Sequence, residues 1–211
     1  MENTNENKEM TAQESLSLIT ETLNNSRKEI TRRSGKYFLL WGALLTFFSM
    51  LIYLLWKTTE NEAWNFLWFA LPATGIPLER LSRRKNSHER VKNDISRING
   101  GIWASFGIFA CAVAAFSLVL VEFLDIDLGL FRAIAAIVGL TPAIALMFGL
   151  AECISGIVLK NWAIKIAGLL IGIGGWFLYY ITGVAEEQLL IFAFAGIVLV
   201  VTGLIVKYQY R

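Results

Sequence analysis

Histidine and cysteine are nearly missing from this chain of 211 residues, which has one His and two Cys. A zinc site needs several His, Cys or carboxylate ligands that converge, and His88 stands by itself in a basic stretch. Nucleophilic catalysis needs a base beside a Ser or Cys, and none accompanies Cys111, Ser105 or Ser117 in the apolar runs. No cofactor motif is present either. The glycine-rich stretch Gly168 to Gly175 follows no strand and opens no phosphate-binding helix. Cys111 and Cys153 fall at different depths of separate apolar runs, which argues against a disulfide. The sequence reads as a protein that is not an enzyme, with no metal and no cofactor.

Charge is also scarce. Only 17% of residues are charged and 55% are hydrophobic, against roughly a quarter charged in soluble domains. The deficit is local. Residues 1–36 are polar, and the rest alternates apolar runs with short charged breaks. A bilayer core about 30 Å thick takes roughly 20 helical residues to cross. Six runs meet that need, at about 37–56, 64–81, 100–121, 130–159, 162–181 and 189–206. The expected fold is an all-α polytopic bundle of six transmembrane helices over 37–206.

What charge exists is sorted. Of the 19 Lys and Arg, only Lys57 and Arg132 lie in or beside the odd-numbered connections. Those connections instead hold Glu60, Glu62, Glu122, Asp125, Asp127, Glu186 and Glu187. Lys and Arg near spans stay in the cytoplasm. The tail 1–36, the basic loop 79–99 and the C-terminus 207–211 are therefore expected inside, with both termini cytoplasmic. Arg27, Lys28, Arg32, Arg33, Arg83, Arg84 and Lys85 are candidate contacts for anionic headgroups of the cytoplasmic leaflet or for a partner. So small a basic patch does not suit nucleic acid.

The tail carries helix signals rather than those of a secretory leader. Thr11 and Glu14 match a capping box, in which each side chain satisfies a free backbone N–H of the other residue. Leu16, Ile19, Leu23 and Ile30 then recur near helical spacing. An amphipathic helix over about 11–34 is expected, set against the inner leaflet, the protein's own inner face, a cytoplasmic protein or a second copy of the chain.

Proline and the small residues mark irregularities within the spans. Pro72 and Pro77 predict a kink in the second span, and Pro142 predicts one in the long fourth span. Gly100, Ala104, Gly107, Cys111 and Ala114 form a small-residue stripe suited to close helix approach. The even spans end with related strings, Thr74-Gly75-Ile76-Pro77-Leu78, Ser155-Gly156-Ile157-Val158-Leu159 and Thr202-Gly203-Leu204-Ile205-Val206. The odd spans carry early tryptophans, Trp41, Trp103 and Trp162. Three helical hairpins in series would account for both patterns. So would the general likeness of membrane helices.

Ionisable residues inside the spans need a reason, because one at mid-bilayer costs about 2.5–3.5 kcal/mol on insertion scales. Arg132 can snorkel outward. Glu152 and Lys165 fall at similar depth on successive antiparallel spans. They are expected to face each other or share a polar pocket, either as an ion pair fixing the hairpin or as a solute or proton site.

Gln13-Glu14-Ser15-Leu16-Ser17-Leu18-Ile19, Lys36-Tyr37-Phe38-Leu39-Leu40-Trp41-Gly42 and Ala63-Trp64-Asn65-Phe66-Leu67-Trp68-Phe69 resemble a group of uncharacterised multi-span bacterial inner-membrane proteins with a cytoplasmic amphipathic helix. The resemblance covers mainly residues 11–80. It implies a bacterial plasma membrane and brings no activity and no functional residue. Two functions fit these features. One is a membrane scaffold or regulatory protein acting through its cytoplasmic helix and basic loop. The other is a small-solute or ion transporter or channel built on Glu152 and Lys165.

Overall fold

The computed structural model describes residues 11–85, 94–123, 139–182 and 186–210. No strand occurs among them. In chain order come α1 (Ala12–Thr59), a 3-10 helix (Glu62–Phe69), α2 (Ala70–Lys85), α3 (Asp94–Phe123) and α4 (Leu140–Val158). Then follow α5 (Trp162–Leu169), a π-helical turn (Leu170–Gly174), α6 (Gly175–Ile181), a 3-10 turn (Glu186–Gln188) and α7 (Leu189–Gln209).

Among the described residues, four helical stretches are long and apolar enough to cross a membrane: Ala12–Thr59, Leu140–Val158, Trp162–Ile181 and Glu186–Gln209. Their exterior is apolar too. Phe47, Leu54, Leu150, Ile173, Phe177, Ile197 and Leu204 are all more than half exposed. Water would penalise such a surface, whereas lipid does not. The chain is a helical membrane protein.

The first helix runs unbroken for 48 residues, so the tail helix and the first span are one element. The capping box forms as the sequence predicts: Glu14 N–H donates to Thr11 Oγ1 at 3.2 Å, and Thr11 N–H donates to Glu14 Oε2 at 2.9 Å. That hydrogen bond from the Thr11 backbone is the main reason the exposed Glu14 carboxyl sits below the ordinary range. Between Ala12 and Thr59 there is no proline and no π-turn to bend the axis. At 1.5 Å per residue the helix is roughly 70 Å long. About two fifths of it, Ala12 to about Ile30, projects from the bundle as an arm. Glu60, at φ 51°, ends the helix and returns its N–H to Trp56 O at 2.8 Å.

The prolines lie at helix beginnings more than at mid-span kinks. The irregular part of the second apolar run is the 3-10 helix before Ala70. Pro72 sits in the first turn of α2, where a missing N–H costs little, and Pro77 lies inside that helix. Pro142 likewise occupies the first turn of α4. The expected fourth span starts at 130, but residues 124–138 lie outside the described ones. The break that the prolines do not account for is in the fifth run, at the glycine-rich π-turn.

The spans of each expected hairpin touch, α1 with the 3-10 helix and α2, α3 with α4, and α5 and α6 with α7, but the largest interface among the described residues joins other partners. The last helix pairs along its length with the membrane part of the first, α7 with α1. From there α7 meets α5 and α6, these meet α4, and α4 meets α3. The α1–α7 pair is antiparallel and glycine-locked. A Cβ on Gly42 would lie 2.7 Å from Gly196 O, and one on Gly203 would lie 2.7 Å from Gly35 O. Gly35 and Gly42 are seven residues apart, as are Gly196 and Gly203. Two turns thus bring the second glycine back to the same seam. The three related strings play different parts. Gly75 lies under the Trp41 ring, Gly156 lies on Lys165, and Gly203 lies on α1. The expected stripe on α3 meets no helix where it is described: Gly100 and Gly107 have open space around them, and Ala104 and Cys111 are exposed. Instead α3 packs through Trp103 and Phe106, whose rings lie 5.6 and 5.3 Å from that of Phe148 on α4.

Candidate functional site

Burying hydroxyl groups among apolar helices requires each to find a local acceptor. On α1, Thr31 Oγ1 donates to Arg27 O at 2.8 Å, Ser34 Oγ to Ile30 O at 2.9 Å and Ser49 Oγ to Leu45 O at 2.6 Å. On α7, Thr202 Oγ1 donates to Val198 O at 2.8 Å. In the α4–α5 turn, Asn161 Oδ1 accepts from Ile164 N–H at 3.2 Å, and its amide donates to Gln209 at 3.0 Å.

Glu152 and Ser155 depart from this rule. Both are 0% exposed, and both Glu152 carboxyl oxygens and Ser155 Oγ lack a hydrogen-bond partner. They stand three residues apart, on one face of α4. Among the described residues they are the two buried side chains left unsatisfied; Arg27 Nε and Asn99 Oδ1, on half-buried side chains, also lack partners. The sequence marked Glu152 but read Ser155 only as part of a repeated string. The i, i+3 spacing was the available signal.

Lys165 is not the partner that the sequence expects. Gly156, not Glu152, lies against it: a Cβ on Gly156 would stand 2.5 Å from Lys165 N and 2.7 Å from its Cγ. Cys153 Sγ lies 3.4 Å from Lys165 O. The lysine is half-buried, and its ammonium makes no ion pair among the described residues. The α4–α5 register is set by glycine. Gly149 sits against the backbone of Gly172 and Gly168, and Gly168 against Cys153 N and Gly149 O. The face presenting Gly149, Cys153 and Gly156 takes the α5 contact, and Glu152, three residues from Gly149 and four from Gly156, lies at its edge.

A second candidate region is the arm of α1. Leu16, Ile19 and Leu23 are 65, 57 and 44% exposed, whereas Ile30 already packs on the core. Among the basic candidates, Arg32 and Arg33 both bind Glu29, at 3.0 and 2.8 Å. Partial burial raises the Glu29 carboxyl, but the hydrogen bonds and charges of the two arginines outweigh this and hold it below the ordinary range. What that cluster contributes is therefore present above the ordinary carboxylate range and lost as pH falls through the lowered value. Lys28 is exposed, and Arg27 Nε is buried without a partner. The side chains of Arg83, Arg84 and Lys85 lie outside the described ones, as do residues 86–93 of the basic loop. Trp41 is tied to α2 rather than only to an interface: its Nε1–H donates to Glu79 at 3.0 Å. Among the described residues no cluster of His, Cys, Asp and Glu could hold a metal ion.

This geometry defines a class, a helical membrane bundle with a rigid projecting arm. Comparison with protein-family models, curated proteins and solved structures finds no match to the chain.

Proposed function

We propose that this is a non-enzymatic scaffold or regulatory protein of a bacterial plasma membrane, acting through the arm of α1 on the cytoplasmic side. The observation that carries the reading is the continuity of α1 from Ala12 to Thr59. A load on the arm reaches the span without a hinge, and the glycine lock passes it to α7. An unbroken axis also favours an arm that stands off the leaflet, so that Leu16, Ile19 and Leu23 meet a protein helix rather than lipid. Six crossings with both termini inside are part of the same proposal. Supporting them are the charge sorting and the placing of Lys57 near Glu186 and Glu187, far from the Arg-rich arm. These two carboxylates, after the hydrogen bond to Tyr53, help to raise the exposed Lys57 ammonium.

Photocrosslinking in cells tests the arm. A benzoylphenylalanine at Leu23 should give a discrete protein adduct, lost on Leu16→Glu with Ile19→Glu, while one at Phe47 gives lipid adducts. Lipid adducts alone at Leu23 would remove the scaffold reading. A cysteine replacing His88 should react with an impermeant maleimide only in inverted vesicles. Labelling from outside intact cells would reverse the orientation. A transporter built on Glu152 and Lys165 draws less support, because the two do not pair and glycine contacts close the α4–α5 interface around them.

A further inference from the structure

A buried carboxyl with no hydrogen-bond partner inside a membrane bundle is costly unless something neutralises it. What could do so is limited by the donor set. Two carboxyl oxygens and one hydroxyl are too few for sodium or calcium, the latter taking six to eight oxygens. A proton needs neither further ligands nor volume. We propose that Glu152, with Ser155 beside it, is a proton-binding site of the bundle, and that its released form is held by Lys165. This goes beyond the scaffold reading and stands or falls separately from it.

The surroundings fit. Ser155 Oγ has not spent its hydrogen on the carbonyl one turn back, unlike Thr31, Ser34, Ser49 and Thr202. It is free to bond with either form of a carboxyl group on the same face. The other charged or titratable groups on the packed elements are few. On α3, Asp94 and Arg97 are exposed and bind each other at 3.1 Å, and Cys111 is exposed. On α6 stand Tyr179 and Tyr180, and on α7 stand exposed Lys207 and Tyr208, with half-buried Tyr210 just beyond its end. Lys165 alone combines a full cationic charge, partial burial and a place on the helix that α4 packs against, one turn of α4 from Glu152. When the carboxyl O–H breaks, the proton passes to water, and the carboxylate left behind can pair with the Lys165 ammonium. That pairing requires α4 to turn on α5, past the Gly156 contact.

Hydrophobic carbodiimide, which attacks protonated carboxyl groups in membranes, reads the site directly. The full-length protein in lipid vesicles is treated across a pH series and the modified residue located by mass spectrometry. Glu152 should be labelled at neutral pH, with labelling lost in Glu152→Gln and falling several-fold at the alkaline end. In Lys165→Met, which removes the partner of the ionised form, labelling should persist at that alkaline end. An unlabelled Glu152 at neutral pH would overturn the proposal. So would labelling that is independent of pH, which marks a structural acid that never releases its proton. Wild-type infrared difference spectra need no variant. A protonated-carboxyl band that disappears with alkali supports the site, and its absence at every pH sinks it.

Discussion

Gly42→Leu is expected to unfold the bundle or leave it only marginally stable. Even the first added carbon would meet Gly196 O at 2.7 Å and Leu199 Cβ and Val200 N at 2.9 Å. Two of those atoms are backbone, so no side-chain rotation relieves the clash. Overpacking a tight core typically costs about 1–3 kcal/mol, and here the relief is to push α1 from α7 along the longest interface of the molecule. Stability in mixed micelles, followed by tryptophan fluorescence during SDS titration, measures the loss. Gly107→Leu is the matched control: its Cβ meets nothing within 4 Å, so it should be neutral or gain a little helix propensity. Equal behaviour of the two variants would mean that α1 and α7 do not meet as described.

Gly149 and Gly172 face each other across α4 and the π-turn, yet their replacements should behave unequally. An alanine methyl at Gly149 would enter the backbone of Gly172 and approach Gly168 O at 2.5 Å. The same methyl at Gly172 first meets Gly149 Cα at 3.4 Å, an ordinary contact. Gly149→Ala should therefore destabilise by about 1–3 kcal/mol, and Gly172→Ala by well under half of that. Thermal midpoints of the two purified variants decide the matter. A larger loss at Gly172 would require a different rotation of α4 against α5. The register matters for Glu152, because it lies at the edge of the Gly149–Cys153–Gly156 face turned to α5.

The helices were legible from hydropathy and capping, and Thr11 and Glu14 located the start of α1 to the residue. Legibility failed where two segments share one helix. Polar residues 12–36 and apolar residues 37–56 look like separate elements by composition, yet backbone hydrogen bonds run through the change of solvent. It failed again for partners. The α3 stripe suggested a close helix neighbour that it does not meet where it is described, and the repeated strings did not reveal that glycines 35, 42, 196 and 203 join the first helix to the last. For the site, the sequence singled out Glu152 and Lys165 by the cost of charge in lipid, but depth alone says nothing about rotation about a helix axis.

Composition by itself determined the solvent of this protein: apolar runs of this length carry their own backbone hydrogen bonds and need lipid around them, whatever their neighbours. Only the tertiary structure decided which faces touch. Helix contacts in lipid depend on shape, on whether a glycine on one helix lies opposite a glycine on another, and one added carbon at such a point moves a whole helix. That matching left Glu152 and Ser155 buried without partners and Lys165 one turn away.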